Sequence, residues 1–274
     1  TKDIEDQKRK MIIDAKSEIV EAAIETSKEI LGREVKKEDN EKFVDDFLKE
    51  FEKEKKNIDI FLANRCDGII LSISKTTTSY EHIQNILTSG IPLVLFDRTA
   101  KELEVSKVVA DDAEAAYKIV QHLIHGGARK IALLTGPEHL SIGKNRMKGY
   151  LKAMTQNKLE IDTNLIVRCE DFTVKSAKTA VLRLLDSKHI PDAIFGINDD
   201  MAIGAMEAIK EKGLQIPEDV AIFGFSNSKR SRYMTPSIST IDQFPDKIGE
   251  TAAELLFEQI LDPKHAKIRE EVIN

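Results

Sequence analysis

The stretch Ala193–Phe225, AIFGINDDMAIGAMEAIKEKGLQIPEDVAIFGF, decides the fold class. It opens on a short apolar run, Ala193-Ile194-Phe195-Gly196-Ile197, and turns through the polar Asn198-Asp199-Asp200. Met201, Ile203, Ala205, Met206, Ala208 and Ile209 then recur mostly at helical spacing, with Lys210 and Lys212 in the last turn. Gly213 is placed for a helix C-cap, where glycine accepts a positive φ at little cost. Ile216-Pro217 turns the chain, and Val220–Phe225 is a second apolar run. Strand, helix and strand within about thirty residues make one βαβ unit of a parallel sheet. Ligands of such sheets sit at the carboxyl ends of the strands, which is where Asn198, Asp199 and Ser226 fall.

Outward from this unit the alternation continues. Upstream, strands are expected at Gly68–Ile73, Pro92–Phe96, Val108–Ala110, Ile131–Thr135 and Leu165–Arg168. Helices are expected at Glu52–Asn64, Tyr80–Thr88, Asp112–His125, Ser141–Asn157 and Val174–Leu185, with Gly90 and Gly126-Gly127 as stops. Alternating strands and helices imply doubly wound parallel sheets in the α/β class. A second βα series begins after Gly136-Pro137, so two lobes with a cleft between them are expected. Residues 1–55 are different in kind, dense in Lys, Glu and Asp and without Pro. Met11, Ile12, Ala15, Ile19, Ala22, Ala23, Ile30 and Leu31 trace one amphipathic helix. Asp39 or Asn40 would cap a second, with Phe43, Val44, Phe47, Leu48 and Phe51 on one face.

Several spaced motifs join the opening stretch in a fixed order: Cys66-Asp67-Gly68-Ile69-Ile70, Pro92-Leu93-Val94-Leu95-Phe96-Asp97-Arg98, Arg146-Met147-Lys148-Gly149-Tyr150 and Pro236-Ser237-Ile238-Ser239-Thr240-Ile241. From about Glu52 to the end the chain resembles the effector domain of lactose-repressor-type (LacI/GalR) transcription regulators. That resemblance implies the two-lobed fold shared with periplasmic binding proteins. It divides the chain into a helical segment at 1–55, a first lobe at 56–136 and 242–262, and a second lobe at 137–241 and 263–274, with helix Pro245–Leu261 returning to the first lobe. It also implies lobe closure around a small effector, a homodimer, and contact with DNA only through a DNA-binding domain that residues 1–51 do not provide. The run Glu18–Glu50, with Ile30-Leu31-Gly32-Arg33-Glu34 inside it, is similar to the C-terminal part of the b subunit of F-type ATP synthases. This gives the alternative expectation of an interaction protein whose N-terminal helices dock a partner. Against the repressor pattern the first lobe is expected to be incomplete. Nothing from Thr1 to Phe51 reads as its opening strand, and Glu271–Asn274 is expected to stop short of a last one.

Carried over residue by residue, Asp97, Arg146, Asn198 and Ser226 stand where the family contacts its effector, and Phe172 stands where an aromatic packs on the ligand ring. The chemistry suits a sugar or nucleoside-like molecule: carboxylate, guanidinium and amide groups bond hydroxyls in pairs, and an aromatic face covers the apolar side of a ring. The family places Asp where this chain has Ser226, which keeps the hydrogen bond and loses the charge. Plain structural roles remain open at each position: loop capping for Asp97 and Asn198, an ion pair for Arg146, core packing for Phe172.

Other chemistry finds little support. The segment Gly136–Asn145 has a glycine and a lysine but not the spacing of a phosphate loop, and no Ser or Thr follows Lys144. His122 and His125 are three apart on a helix with no further metal ligand, so no metal or cofactor is expected. No nucleophile-elbow context exists for a hydrolase, so no enzyme is expected. The run Lys229, Arg230, Arg232 reads as a solvated loop. A net charge of -6 argues against broad phosphate binding. No apolar run approaches the roughly 18 residues a membrane span needs, Cys66 and Cys169 read as free thiols, and a cytoplasmic protein is expected.

Overall fold

The structure is a computed structural model that describes residues 40–136, 140–169 and 171–274, with side chains from Glu50 onward. The amphipathic pattern at 11–31 and most of the ATP-synthase-like run lie outside the described residues. The described chain divides into two compact units, one holding residues 40–110 and 244–274, the other 111–243.

The first unit opens with α1 (Asn40–Ala63), followed by β1 (Ile69–Leu71), α2 (Glu81–Thr88), β2 (Leu93–Phe96) and β3 (Ser106–Ala110). Its sheet is parallel throughout, in the order β1-β2-β3-β8, with Ile69 opposite Leu93 and Val94 opposite Ser106. Successive side chains of a strand point to opposite faces, and β2 shows it directly. Leu93 and Leu95 pack with Ile58 of α1 and Ile83 and Ile86 of α2. Val94 and Phe96 pack with Ile248, Ala252 and Leu255 of the return helix. Both faces are therefore covered, which is why the strand reads as an unbroken apolar run.

The second unit contains α3 (Asp112–His125), β4 (Ile131–Thr135), α4 (Ser141–Gln156), β5 (Ile166–Arg168), α5 (Val174–Leu185), β6 (Ala193–Gly196), α6 (Asp199–Glu211), β7 (Ala221–Phe223) and the short α7 (Lys229–Tyr233). Its sheet, also parallel, runs β5-β4-β6-β7. One continuous core joins the fully buried Ile131–Leu134 and Ala193–Phe195 to Tyr150, Met154, Val181, Ile203 and Met206 from the surrounding helices. The chain then re-enters the first unit through α8 (Pro245–Leu261) and ends on β8 (Glu270–Ile273).

Four expectations need correction. Asn40–Ala63 is one continuous helix rather than a capped hairpin helix followed by another at Glu52, because nothing between Asn40 and Asn64 supplies a glycine or proline stop. Helix α3 and strand β4 belong to the second unit, since β4 pairs with β5 and β6. The last residues form a strand that was not expected: Glu270–Ile273 pairs in parallel with β3 and belongs to the first unit, not the second. Finally, Lys229, Arg230 and Arg232 lie on a helical turn capped by Ser228, whose hydroxyl accepts from the Ser231 N–H, rather than in a loop.

Candidate functional site

The carboxyl ends of β4, β5, β6 and β7 bring four of the five expected site residues together. Asn198 directly follows β6 and caps α6: its side-chain oxygen accepts from the Met201 N–H at 2.8 Å. Its Nδ2 donates to the Phe172 carbonyl at 3.2 Å, tying the loop after β5 to the loop after β6. The Phe172 ring lies against Gly136 at the end of β4, so close that a Cβ there would sit 2.6 Å from Phe172 Cζ and nearer still to Cε1.

Arg146 projects from the first half of α4 and is 3% exposed. Its Nε donates to Asp112 Oδ1 at 2.8 Å, with Nη2 at 2.8 Å from the same oxygen. Nη1 donates to the Ile197 carbonyl, one residue before Asn198. The guanidinium carbon sits 3.6 Å from the centroid of the Phe225 ring. A buried guanidinium must be neutralised, bonded and covered; Asp112, Ile197 and Phe225 do all three. Ser226 follows Phe225 with φ +118, donates its N–H to the Ile241 carbonyl at 2.9 Å, and finds no side-chain partner among the described residues.

Asp199 organises the loop around Ser226. Its Oδ2 accepts from the Ser228 N–H and its Oδ1 from the Thr240 hydroxyl, both at 2.6 Å. Asn227 adds a 2.7 Å bond to Asp242. Asp200, next in line, is paired at 2.9 Å with Arg230, yet burial and the neighbouring Asp199 push its carboxyl up to about 6. The sequence places Asp199 at a strand end but does not single out Asp112, Thr240 or Phe225 as site partners. The doublet Asp111-Asp112 was the available signal: Asp111 is the N-cap, accepting from Glu114 N–H, so the second carboxylate is not needed for capping.

Asp97 ends β2 in the first unit, nearly buried, with φ +54. Its carboxylate approaches Arg98 Nη1 at 3.4 Å, and Arg98 Nε donates to the Ile73 carbonyl at 2.6 Å, so the loops after β1 and β2 are laced together. Among the described residues no cluster of His, Cys, Asp and Glu could hold a metal, and no helix is long and apolar enough to cross a membrane. His122 and His125 are both exposed, His122 stacking edge-on against Phe223 at 5.6 Å. Cys66 and Cys169 form no disulfide among the described residues.

Residues 120–274 match the family described as the periplasmic binding protein-like domain. The chain belongs to that family, in its LacI-type regulator branch. It is 34% identical over 209 residues to the probable HTH-type transcriptional repressor ExuR of Bacillus subtilis strain 168, a match that covers 76% of this chain and 62% of that protein. Among solved structures it is similar to a regulatory protein of LacI family from Chloroflexus aggregans, with TM-score 0.69 and 33% identity over 78% of this chain and 76% of the other. It is also similar to a LacI family transcriptional regulator from Enterococcus faecium with bound ribose, with TM-score 0.68 and 26% identity over 80% of each chain. The chain spans less than two thirds of the length of the curated relatives it matches. These relatives are regulators rather than enzymes, which agrees with the absence of catalytic motifs. None of them is an ATP synthase subunit, so the resemblance of Glu18–Glu50 to the b subunit stands without support.

Proposed function

We propose that this chain is the effector-binding part of a LacI-type transcriptional regulator, and that its effector is a small sugar-like molecule. The observation that carries the reading is the grouping of Arg146, Phe172, Asn198 and Ser226 at the carboxyl edge of one parallel sheet, the place where open α/β sheets bind ligands. Arg146 and Asn198 each engage the protein with part of their hydrogen-bonding capacity, and the Ser226 hydroxyl with none among the described residues. Sugar hydroxyls are both donors and acceptors and suit such a mixed set. Phe172 supplies an aromatic face, and Asp97 of the first unit adds a carboxylate at the end of its own sheet. The E. faecium relative with bound ribose supports a monosaccharide-sized ligand. The loss of the family's Asp at position 226 favours a ligand that needs one neutral hydrogen bond there. We assign the protein to the cytoplasm, as a homodimer whose DNA contacts are made by other segments of the whole regulator. A thermal-shift panel of D-ribose, cellobiose and inosine tests the assignment: one ligand should raise the midpoint in a concentration-dependent way. Silence across sugars and nucleosides alike would remove it.

A further inference from the structure

The first unit holds a buried polar knot that the effector reading does not use. It is centred on Glu54, on the face of α1 that also carries Ile58 into the core four residues later. The Glu54 side chain is 7% exposed and that of His82, on α2, 4%. Glu54 Oε1 accepts from the Thr77 hydroxyl at 2.6 Å and meets His82 Nε2 at 2.7 Å. Its Oε2 accepts from the Ser74 N–H. Thr77 N–H returns to the Ser74 carbonyl at 3.1 Å, and the Ser74 and Thr76 hydroxyls meet at 2.9 Å. One turn earlier on α1, Glu50 pairs with Lys75 at 3.5 Å. Phe51 closes over the His82 ring edge-on at 5.2 Å.

The target of these bonds is the loop between β1 and α2, Ser72-Ile73-Ser74-Lys75-Thr76-Thr77-Thr78-Ser79, which leaves the carboxyl end of β1. It contains no proline to stiffen it, and six of these eight residues carry hydroxyls. Arg98, beside Asp97, is bonded to Ile73 within it. Ser72 Oγ is buried without a partner among the described residues. A hydroxyl-rich loop without stiffening residues keeps one shape only if something outside it fixes its donors. A single carboxylate receiving three donors from three positions does that, and charged acceptors make the stronger hydrogen bonds.

We infer that Glu54 is a positioning residue for ligand binding: it touches no ligand and holds the β1–α2 loop in the shape that the first unit presents beside Asp97. This rests on the effector reading of the strand ends. The test compares wild type with Glu54→Gln and Thr77→Val in the full chain, by hydrogen exchange and by titration with D-ribose, cellobiose and inosine. Gln keeps the size, removes the charge and forces Thr77 and His82 to accept from an amide instead of donating to a carboxylate, and Val removes one donor while leaving the carboxylate. Exchange of the peptide spanning residues 72–80 should accelerate about tenfold in Glu54→Gln and less in Thr77→Val, with the β2 and β6 peptides unchanged. The Kd of whichever probe binds wild type should rise about fivefold or more. Ile58→Val, one turn away in the apolar core, serves as the control for stability alone and should leave Kd unchanged. Unchanged loop exchange, acceleration spread over both units, or an equal loss of affinity in Ile58→Val would overturn the inference. If wild type binds none of the probes, the effector reading fails with the affinity arm, while the exchange arm still decides whether Glu54 holds the loop.

Discussion

Individual residues here carry opposed demands, and the buried charges show it best. Arg146 is charged inside a core, and Asp112 is its counter-ion; losing either leaves the other buried without its opposite charge. Arg146→Met should cost on the order of 3–5 kcal/mol in urea denaturation, while Arg146→Met combined with Asp112→Leu should recover most of it. Equal losses in the single and double variants would contradict the pairing. Asp200 makes the converse case. Its carboxyl is pushed from the usual 3.8 up to about 6 by burial and by Asp199. The folded state therefore keeps this proton longer than the unfolded chain does. Its contribution favours folding below about pH 4 and is lost as pH rises through about 6. Asp200→Asn should then gain on the order of 2 kcal/mol over wild type at pH 7.5, a gain that fades by pH 4. Measuring the unfolding free energy of both proteins across that range checks the sign. At this scale the sequence was only half legible. Asn198 and Arg146 could be named because they sit in recognisable motifs. Their partners could not, because Asp112 lies 34 residues from Arg146, and the Asp111-Asp112 doublet marks a carboxylate left over from capping without naming the distant guanidinium it meets.

Elements were the most legible scale. Helices Asp112–His125 and Val174–Leu185 and strand Ile131–Thr135 have the bounds that periodicity and stop signals assign them. The errors came where local signals were silent. Helix α1 runs through the expected break at Phe51-Glu52 because strong helix formers, Lys49-Glu50 and Glu52-Lys53-Glu54-Lys55-Lys56, flank it. Strand β8 was missed because Glu270–Ile273 is a short, charged edge strand whose pattern never alternates cleanly. Close helix packing was also invisible. Helices α5 and α6 touch at Gly204, where an added Cβ would lie 2.9 Å from Ala177 Cβ and the Lys178 nitrogen, with the Val174 carbonyl nearer still. A side chain there must prise the pair apart inside the second unit's core. Gly204→Val should cost about 2–4 kcal/mol of stability, more than Gly→Val on an exposed helix face. A midpoint within a degree or two of wild type would show that the helices yield more easily than their packing indicates.

At the scale of the whole chain, two parallel sheets of four strands each end their strands in loops rich in hydrogen-bonding groups. The α/β class and the five candidate residues followed from motif order. The assignment of α3, β4 and β8 to their units did not, because strand pairing between distant segments leaves no mark in local sequence. The account stands or falls on whether the carboxyl edge of the second sheet binds an effector. Ser226 offers the cleanest probe, since its hydroxyl has no partner among the described residues and Ala fits its backbone as well as Ser does. The measurement is calorimetric titration of wild type and Ser226→Ala with the ligand that the thermal-shift panel selects. The account predicts saturable one-site binding to wild type and a Kd about 3–10-fold weaker in Ser226→Ala, at an unchanged unfolding midpoint. Equal affinity in the two proteins would contradict the placement of the ligand at Ser226, and no heat of binding to wild type would contradict the effector site itself.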